Sequence, residues 1–151
     1  MKNTKSIVIA ALVAVVAVSG GVFALSNPFG GPQKVKAVNG VVSLPVAKVT
    51  DSAQMYRYAS SGKTIAFFLV KGTDGKIHAA FDACDACYKE RKGYVQEGPA
   101  MLCRNCGKKF QINRIGSANT GGCNPAHLDF TVANGSVLIR TTSLDAGGRY
   151  F

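Results

Sequence analysis

The sequence predicts a mainly β domain, a small antiparallel sandwich or barrel, behind one N-terminal membrane helix. Three observations carry that reading. Hydrophobic residues alternate with a period of two, as where Leu128, Phe130 and Val132 face away from Asp129 and Thr131. Asp74-Gly75 and Asn134-Gly135 stand between apolar runs, as the turns of tight hairpins do. Beyond residue 25 no stretch repeats with a helical period, and a chain of 151 residues leaves room for one modest domain.

The chain begins with Lys2 and Lys5, then runs apolar from Ile7 to Val18 and again from Val22 to Leu25. Residues 1–25 are therefore expected to engage a membrane. They do so either as a signal peptide cut after Val22-Phe23-Ala24 or, the reading favoured, as an uncleaved anchor of spanning length. In both cases the lysines hold the N-terminus in the cytoplasm and place the remainder on the extracytoplasmic side. Residues 26–40 are rich in turn formers and read as a linker, so the domain is expected over 41–151.

Within the domain, Val41 to Val49 reads as a first strand, and Pro45, which has no amide to donate, sends it to a sheet edge. Met55 to Ala59 reads as a short second strand. Thr64 to Lys71 carries the unbroken run Ile65-Ala66-Phe67-Phe68-Leu69-Val70, too short for a convincing helix and apolar enough for a strand buried on both faces. Lys76 to Phe81 returns from the Asp74-Gly75 turn and runs into Cys84. Pro99 to Leu102 leads into a second cysteine loop and Lys108 to Asn113 leads out of it. His127 to Ala133 and Ser136 to Thr141 form the last hairpin.

The formal net charge is +10, or +8 once Lys2 and Lys5 are set aside. Nucleic acid is not an expected partner outside the cytoplasm. A basic face there points to anionic lipid headgroups or an acidic protein surface, with a plain charged, soluble surface as the alternative. Two histidines and eight carboxylates assemble no nucleophile, base and orienting group, so hydrolytic catalysis has no support.

The chemistry rests on five cysteines. Cys84-Asp85-Ala86-Cys87 and Cys103-Arg104-Asn105-Cys106-Gly107 are matched pairs with 15 residues between them. Each Cys-x-x-Cys loop lets two sulfurs reach one metal, and two such loops complete a four-thiolate site. Cys84, Cys87, Cys103 and Cys106 are the expected ligands. Zinc, a single iron or an iron-sulfur cluster all suit this spacing. An odd cysteine count argues against a disulfide framework, and a thiol-disulfide carrier stays as an alternative.

Cys123 lies in Gly121-Gly122-Cys123-Asn124-Pro125. It reads as a third loop over the site, a replacement ligand or a sealing thiol, against the plainer reading of a buried free cysteine. His78 and His127 read as ordinary strand or surface residues rather than ligands. Tyr88 and Tyr94 are expected to pack around the loops. A strand delivering one loop, then a second loop ending in Cys-Gly and a following strand, resembles the layout of Rieske centres. Cys87 and Cys106 stand where those proteins carry histidine.

Several separated motifs resemble the FtrD-like membrane iron-sulfur proteins. They are Ala80-Phe81-Asp82-Ala83-Cys84-Asp85-Ala86-Cys87-Tyr88, Gly93-Tyr94-Val95-Gln96-Glu97-Gly98, Met101-Leu102-Cys103-Arg104-Asn105-Cys106-Gly107, Gly122-Cys123-Asn124-Pro125 and the closing Gly148-Arg149-Tyr150-Phe151. The resemblance covers most of residues 41–151. It implies a membrane-attached electron carrier, rather than a catalyst, that serves iron uptake beside an iron permease or another electron-transfer membrane partner. It also implies an iron-sulfur cluster on Cys84, Cys87, Cys103 and Cys106, with Cys123 in the family pattern without an assigned role. Beside that family the chain is expected to be a short, single-anchor form, in which a transmembrane electron path would come from the partner. No twin-arginine signal occupies Met1 to Ser6, and an exported cluster would have to be assembled outside the cytoplasm. Zinc needs no such assembly, so a non-redox zinc-binding β module that docks a membrane partner is the alternative.

Overall fold

A computed structural model describes residues 31–116 and 122–151. The expected membrane segment, residues 1–25, lies outside the described residues. Among the described residues no helix is long and apolar enough to cross a membrane.

Among the described residues ten strands make three small sheets. The central sheet has the order β1 (Gln33–Val35), β3 (Gln54–Ser60), β4 (Lys63–Lys71), β5 (Ile77–Phe81). A second sheet has the order β2 (Val41–Pro45), β10 (Ser136–Arg140), β9 (Thr131–Ala133), and a third runs β6 (Tyr94–Glu97), β7 (Ala100–Cys103), β8 (Lys109–Gln111). All neighbours are antiparallel except β1 and β3, which pair in parallel with Gln33 opposite Tyr56.

The unbroken apolar run of β4 organises these layers. Alternate side chains of a strand point to opposite faces, so Ile65, Phe67 and Leu69 join one core cluster while Phe68 and Val70 join another. The first cluster is completed by Val42 and Leu44 of β2 and by Val137 and Ile139 of β10. The second is completed by Tyr94 of β6, by Met101 and Cys103 of β7, and by Ile112 and Ile115. Phe67, Phe68, Leu69 and Val70 are all fully buried. A strand covered on both faces needs a sheet or loop on each side. Among the described residues no sheet closes into the barrel that the alternation had allowed, and each keeps two open edges.

The expected hairpins form where their turn residues stand. Asn134 and Gly135, at φ 50° and 72°, adopt the left-handed pair that a two-residue turn between β9 and β10 requires. The β4–β5 turn is longer, with Gly72 N–H bonded to the Lys76 carbonyl at 2.9 Å and the Asp74 carboxylate accepting from Lys76 N–H at 3.0 Å. Pro45 ends β2 at a sheet edge, and a 3₁₀ turn over Val46–Lys48 takes the place of the expected longer strand. β9 starts only at Thr131, with His127 making a single bridge to Ala80. The elements that went unanticipated are β1 inside the expected linker, β6, the short helix α1 (Thr141–Ala146), and the 3₁₀ turns over Tyr88–Glu90, Ile112–Arg114 and Gly147–Tyr150.

Candidate metal centre

Three loops converge on the edge where the central and third sheets meet. The first leaves β5 directly. Asp82 N–H still bonds the Ala66 carbonyl at 2.9 Å, which keeps the strand straight up to the loop. The chain then bends so that Cys87 N–H points at Cys84 Sγ at 3.2 Å and Tyr88 N–H at the Cys84 carbonyl at 3.2 Å. The amide aimed at its sulfur fixes where Cys84 Sγ points. The second loop joins β7 to β8. Cys103 N–H bonds the Lys108 carbonyl and Gly107 N–H the Cys103 carbonyl, each at 2.9 Å. Gly107 turns at φ +73°, a conformation in which a side chain is strained.

The third loop, carrying Cys123, is stitched alongside the first. Ala86 N–H bonds the Gly122 carbonyl at 3.1 Å, Ala126 N–H the Ala83 carbonyl at 2.9 Å, and Phe81 N–H the Ala126 carbonyl at 2.9 Å. From the opposite side, the Tyr94 hydroxyl donates to the Cys123 carbonyl at 2.5 Å. Tyr94 is buried against Phe68 and Phe110, with ring centroids 6.5 and 6.4 Å away. Tyr94 thus packs around the loops as expected, and it also fixes one of them.

This stitching gathers the sulfurs of Cys84, Cys87, Cys103 and Cys123 within 4.8 Å of one another, with Cys87 and Cys123 at 3.7 Å. Thiolates about 2.3 Å from one tetrahedral ion stand about 3.8 Å apart. The group can therefore close around a single ion with small shifts. A multi-iron cluster places its thiolates on different metal atoms and spreads them wider. All five cysteines are free thiols. Cys106, expected as the fourth ligand, is exposed and is not one of these four, though its side chain faces Cys123, Cys103 and Cys87. The Cys123 thiol and then the Lys108 backbone N–H pull Cys106 down to about 7, while burial and then the Cys106 sulfur push Cys123 up.

A profile described as "Membrane iron-sulfur containing protein FtrD-like" matches residues 49–151, which takes in all three cysteine loops. The chain belongs to the FtrD-like family. No match was found among curated proteins. The family's description as iron-sulfur-containing and membrane-associated agrees with a cysteine group able to hold a metal.

The histidines of this FtrD-like protein stay outside the thiol group. His127 is exposed and pairs with Asp129 at 2.6 Å. His78 is buried rather than at the surface: Nδ1 faces the Ile115 carbonyl at 2.9 Å and Nε2 the Asp74 carboxylate at 3.2 Å. It ties the β4–β5 turn to the segment leaving β8.

The sequence also hid a clamp on the first loop. Asp85 accepts from the Tyr150 hydroxyl at 2.9 Å and from Arg149 at 3.1 Å, so the chain's last turn grips the Cys84–Cys87 loop. Gly147 makes the approach possible, since a Cβ there would meet the Phe81 ring at 2.2 Å.

Beside the thiols opens a cleft of about 590 Å³, walled by Cys84, Cys87, Cys103, Tyr88 and Tyr150. Its cations Arg57, Lys63 and Arg91 face a single side-chain carboxylate, Asp82. Burial pushes Asp82 up to about 6, against the Tyr94 N–H bonded to it at 2.7 Å and the charges of Arg104 and Arg57.

Proposed function

We propose that this FtrD-like protein is a membrane-anchored, extracytoplasmic electron carrier that serves iron uptake through one iron bound by cysteine thiolates. Cys84, Cys87 and Cys103 supply three ligands, and Cys123 the fourth in place of the Cys106 that sequence pairing favours. The observation that carries the reading is the compact thiol group, four sulfurs within 4.8 Å. Iron in preference to zinc is supported by the family's iron-sulfur description. An iron held by four thiolates would supply a one-electron couple without adding or losing a proton.

The protein's own part is to hold the ligands still, so that a change of charge moves few atoms. Burial of Cys84 and Cys103, the Cys87 N–H on Cys84 and the Tyr94 bond to the Cys123 loop all serve that end. The cleft brings a partner's surface or a small acceptor against the wall formed by Cys84, Cys87 and Cys103. Its Arg57, Lys63 and Arg91 favour an acidic one. An anchor in residues 1–25 would hold the domain beside an iron permease or another electron-transfer membrane partner. The two loops at strand ends, with their Rieske-like layout, suit such a docking face.

The compact group suits zinc equally well, which supports a second reading: a non-redox zinc module that docks a membrane partner. The test is a visible spectrum of the full-length protein purified in detergent, with metal and acid-labile sulfide analysis. Coloured protein with about one iron per chain and little sulfide is the expected outcome. Colourless protein with one zinc overturns the redox reading, and metal-free protein with titratable thiols favours a thiol-disulfide carrier.

A further inference from the structure

The five thiols are unequally placed, and their placement makes a route. Cys84 and Cys103 are buried at 1% and 2% exposure, Cys87 and Cys123 are half buried, and Cys106 is exposed. Cys106 faces Cys123 and also Cys103 and Cys87, Cys123 lies 3.7 Å from Cys87, and Cys84, Cys87, Cys103 and Cys123 form the compact group. The five sulfurs therefore form one continuous group that reaches from solvent at Cys106 to the buried floor at Cys84 and Cys103. An incoming cation carries water or a small chelator, and it sheds those ligands one at a time. The buried Cys84 and Cys103 can meet it first only through the cleft that they help to wall.

We infer that Cys106 is a loading thiol that, with Cys123, captures a thiophilic divalent cation such as Fe²⁺ or Zn²⁺ at the surface and passes it to the inner thiols. Each step forms one metal–sulfur bond as one metal–ligand bond breaks. No electrons move, and each thiol that binds releases its proton to water. In the final state Cys84, Cys87, Cys103 and Cys123 hold the ion and Cys106 is again free.

The competing route is the cleft, where Cys84, Cys87 and Cys103 also reach the wall. Arg57, Lys63 and Arg91 on that side repel a cation more than Asp82 attracts it. Arg104 and Lys108 flank Cys106 as well, so charge alone does not choose between the routes. Exposure does: Cys106 is the one exposed cysteine among the described residues, so a cation arriving from solvent meets its sulfur ahead of the others.

The inference rests on the four-thiol centre proposed above, and the test separates the two. Full-length protein in detergent, reduced and stripped of metal, is mixed with Co²⁺, whose colour in a tetrahedral thiolate site reports both rate and ligand set. Cys106→Ser should reach the wild-type spectrum and stoichiometry about tenfold more slowly or worse, as expected for a lost step on the path rather than a lost ligand. Cys123→Ser should give an altered spectrum at saturation. In loaded wild-type protein, iodoacetamide should modify Cys106 and spare the other four. A Cys106→Ser protein that loads at the wild-type rate overturns the inference, as does one that never reaches the wild-type spectrum. If wild-type protein binds no Co²⁺, the centre itself fails and the loading route falls with it.

Discussion

Tyr94→Phe isolates one hydrogen bond at the heart of the site. The phenol is 3% exposed and its hydroxyl donates to the Cys123 carbonyl at 2.5 Å, while its ring packs between Phe68 and Phe110. Phenylalanine keeps the ring and its packing, so no cavity opens. A hydrogen bond of this kind contributes about 1 kcal/mol net, and leaving the carbonyl without a partner raises the cost to about 1–3 kcal/mol. In a domain of this size that lowers the melting midpoint by several degrees. The midpoint should be followed by circular dichroism on metal-free, full-length protein in detergent. The rate of Cys123 alkylation gives the local readout, and it should rise because the loop has lost its tether. An unchanged midpoint together with unchanged Cys123 alkylation would refute the claim that Tyr94 fixes the third loop.

Gly107→Ala meets open space at φ +73° and should cost only the left-handed strain, about 1–2 kcal/mol, whereas Gly93→Ala at φ +65° also drives a Cβ to 2.5 Å from the Asp82 carboxylate and should cost more; urea melts of the pair rank them. Phe67→Ala and Phe68→Ala should each cost about 3–5 kcal/mol by leaving a core cavity. Only Phe68→Ala should also weaken Co²⁺ binding, because Phe68 backs the thiol cluster and Phe67 faces the other sheet. Chelation should lower the melting midpoint of loaded protein, since an ion bound only by the folded state adds about 4 kcal/mol at a thousandfold excess over its Kd; equal midpoints with and without chelator would contradict a bound ion.

Local features of the chain were legible in advance. The Asn134-Gly135 turn, the doubly buried β4 and the delivery of both Cys-x-x-Cys loops by strand ends follow from nearest-neighbour chemistry, and all appear. What stayed hidden depends on distant partners. Cys123 comes to Cys87 from 36 residues away, through backbone bonds of Ala86 and Ala126 that no spacing rule contains. Cys106 looks like a ligand by its pairing with Cys103, and its exposure beside the group is likewise set by how the loops pack rather than by spacing. His78 sits on a strand with no sign of burial, and only Ile115 and Asp74 reveal why it is enclosed. The α1 helix is six residues long with Leu144 as its one buried residue, too brief to show a period. β1 pairs three residues in a turn-rich stretch, where composition masked the strand.

X-ray absorption at the metal edge of purified full-length protein tests the central claim most directly. One ion held by Cys84, Cys87, Cys103 and Cys123 predicts a single shell of four sulfurs at about 2.3 Å. Scattering from a second metal atom, or nitrogen and oxygen in the first shell, would contradict it.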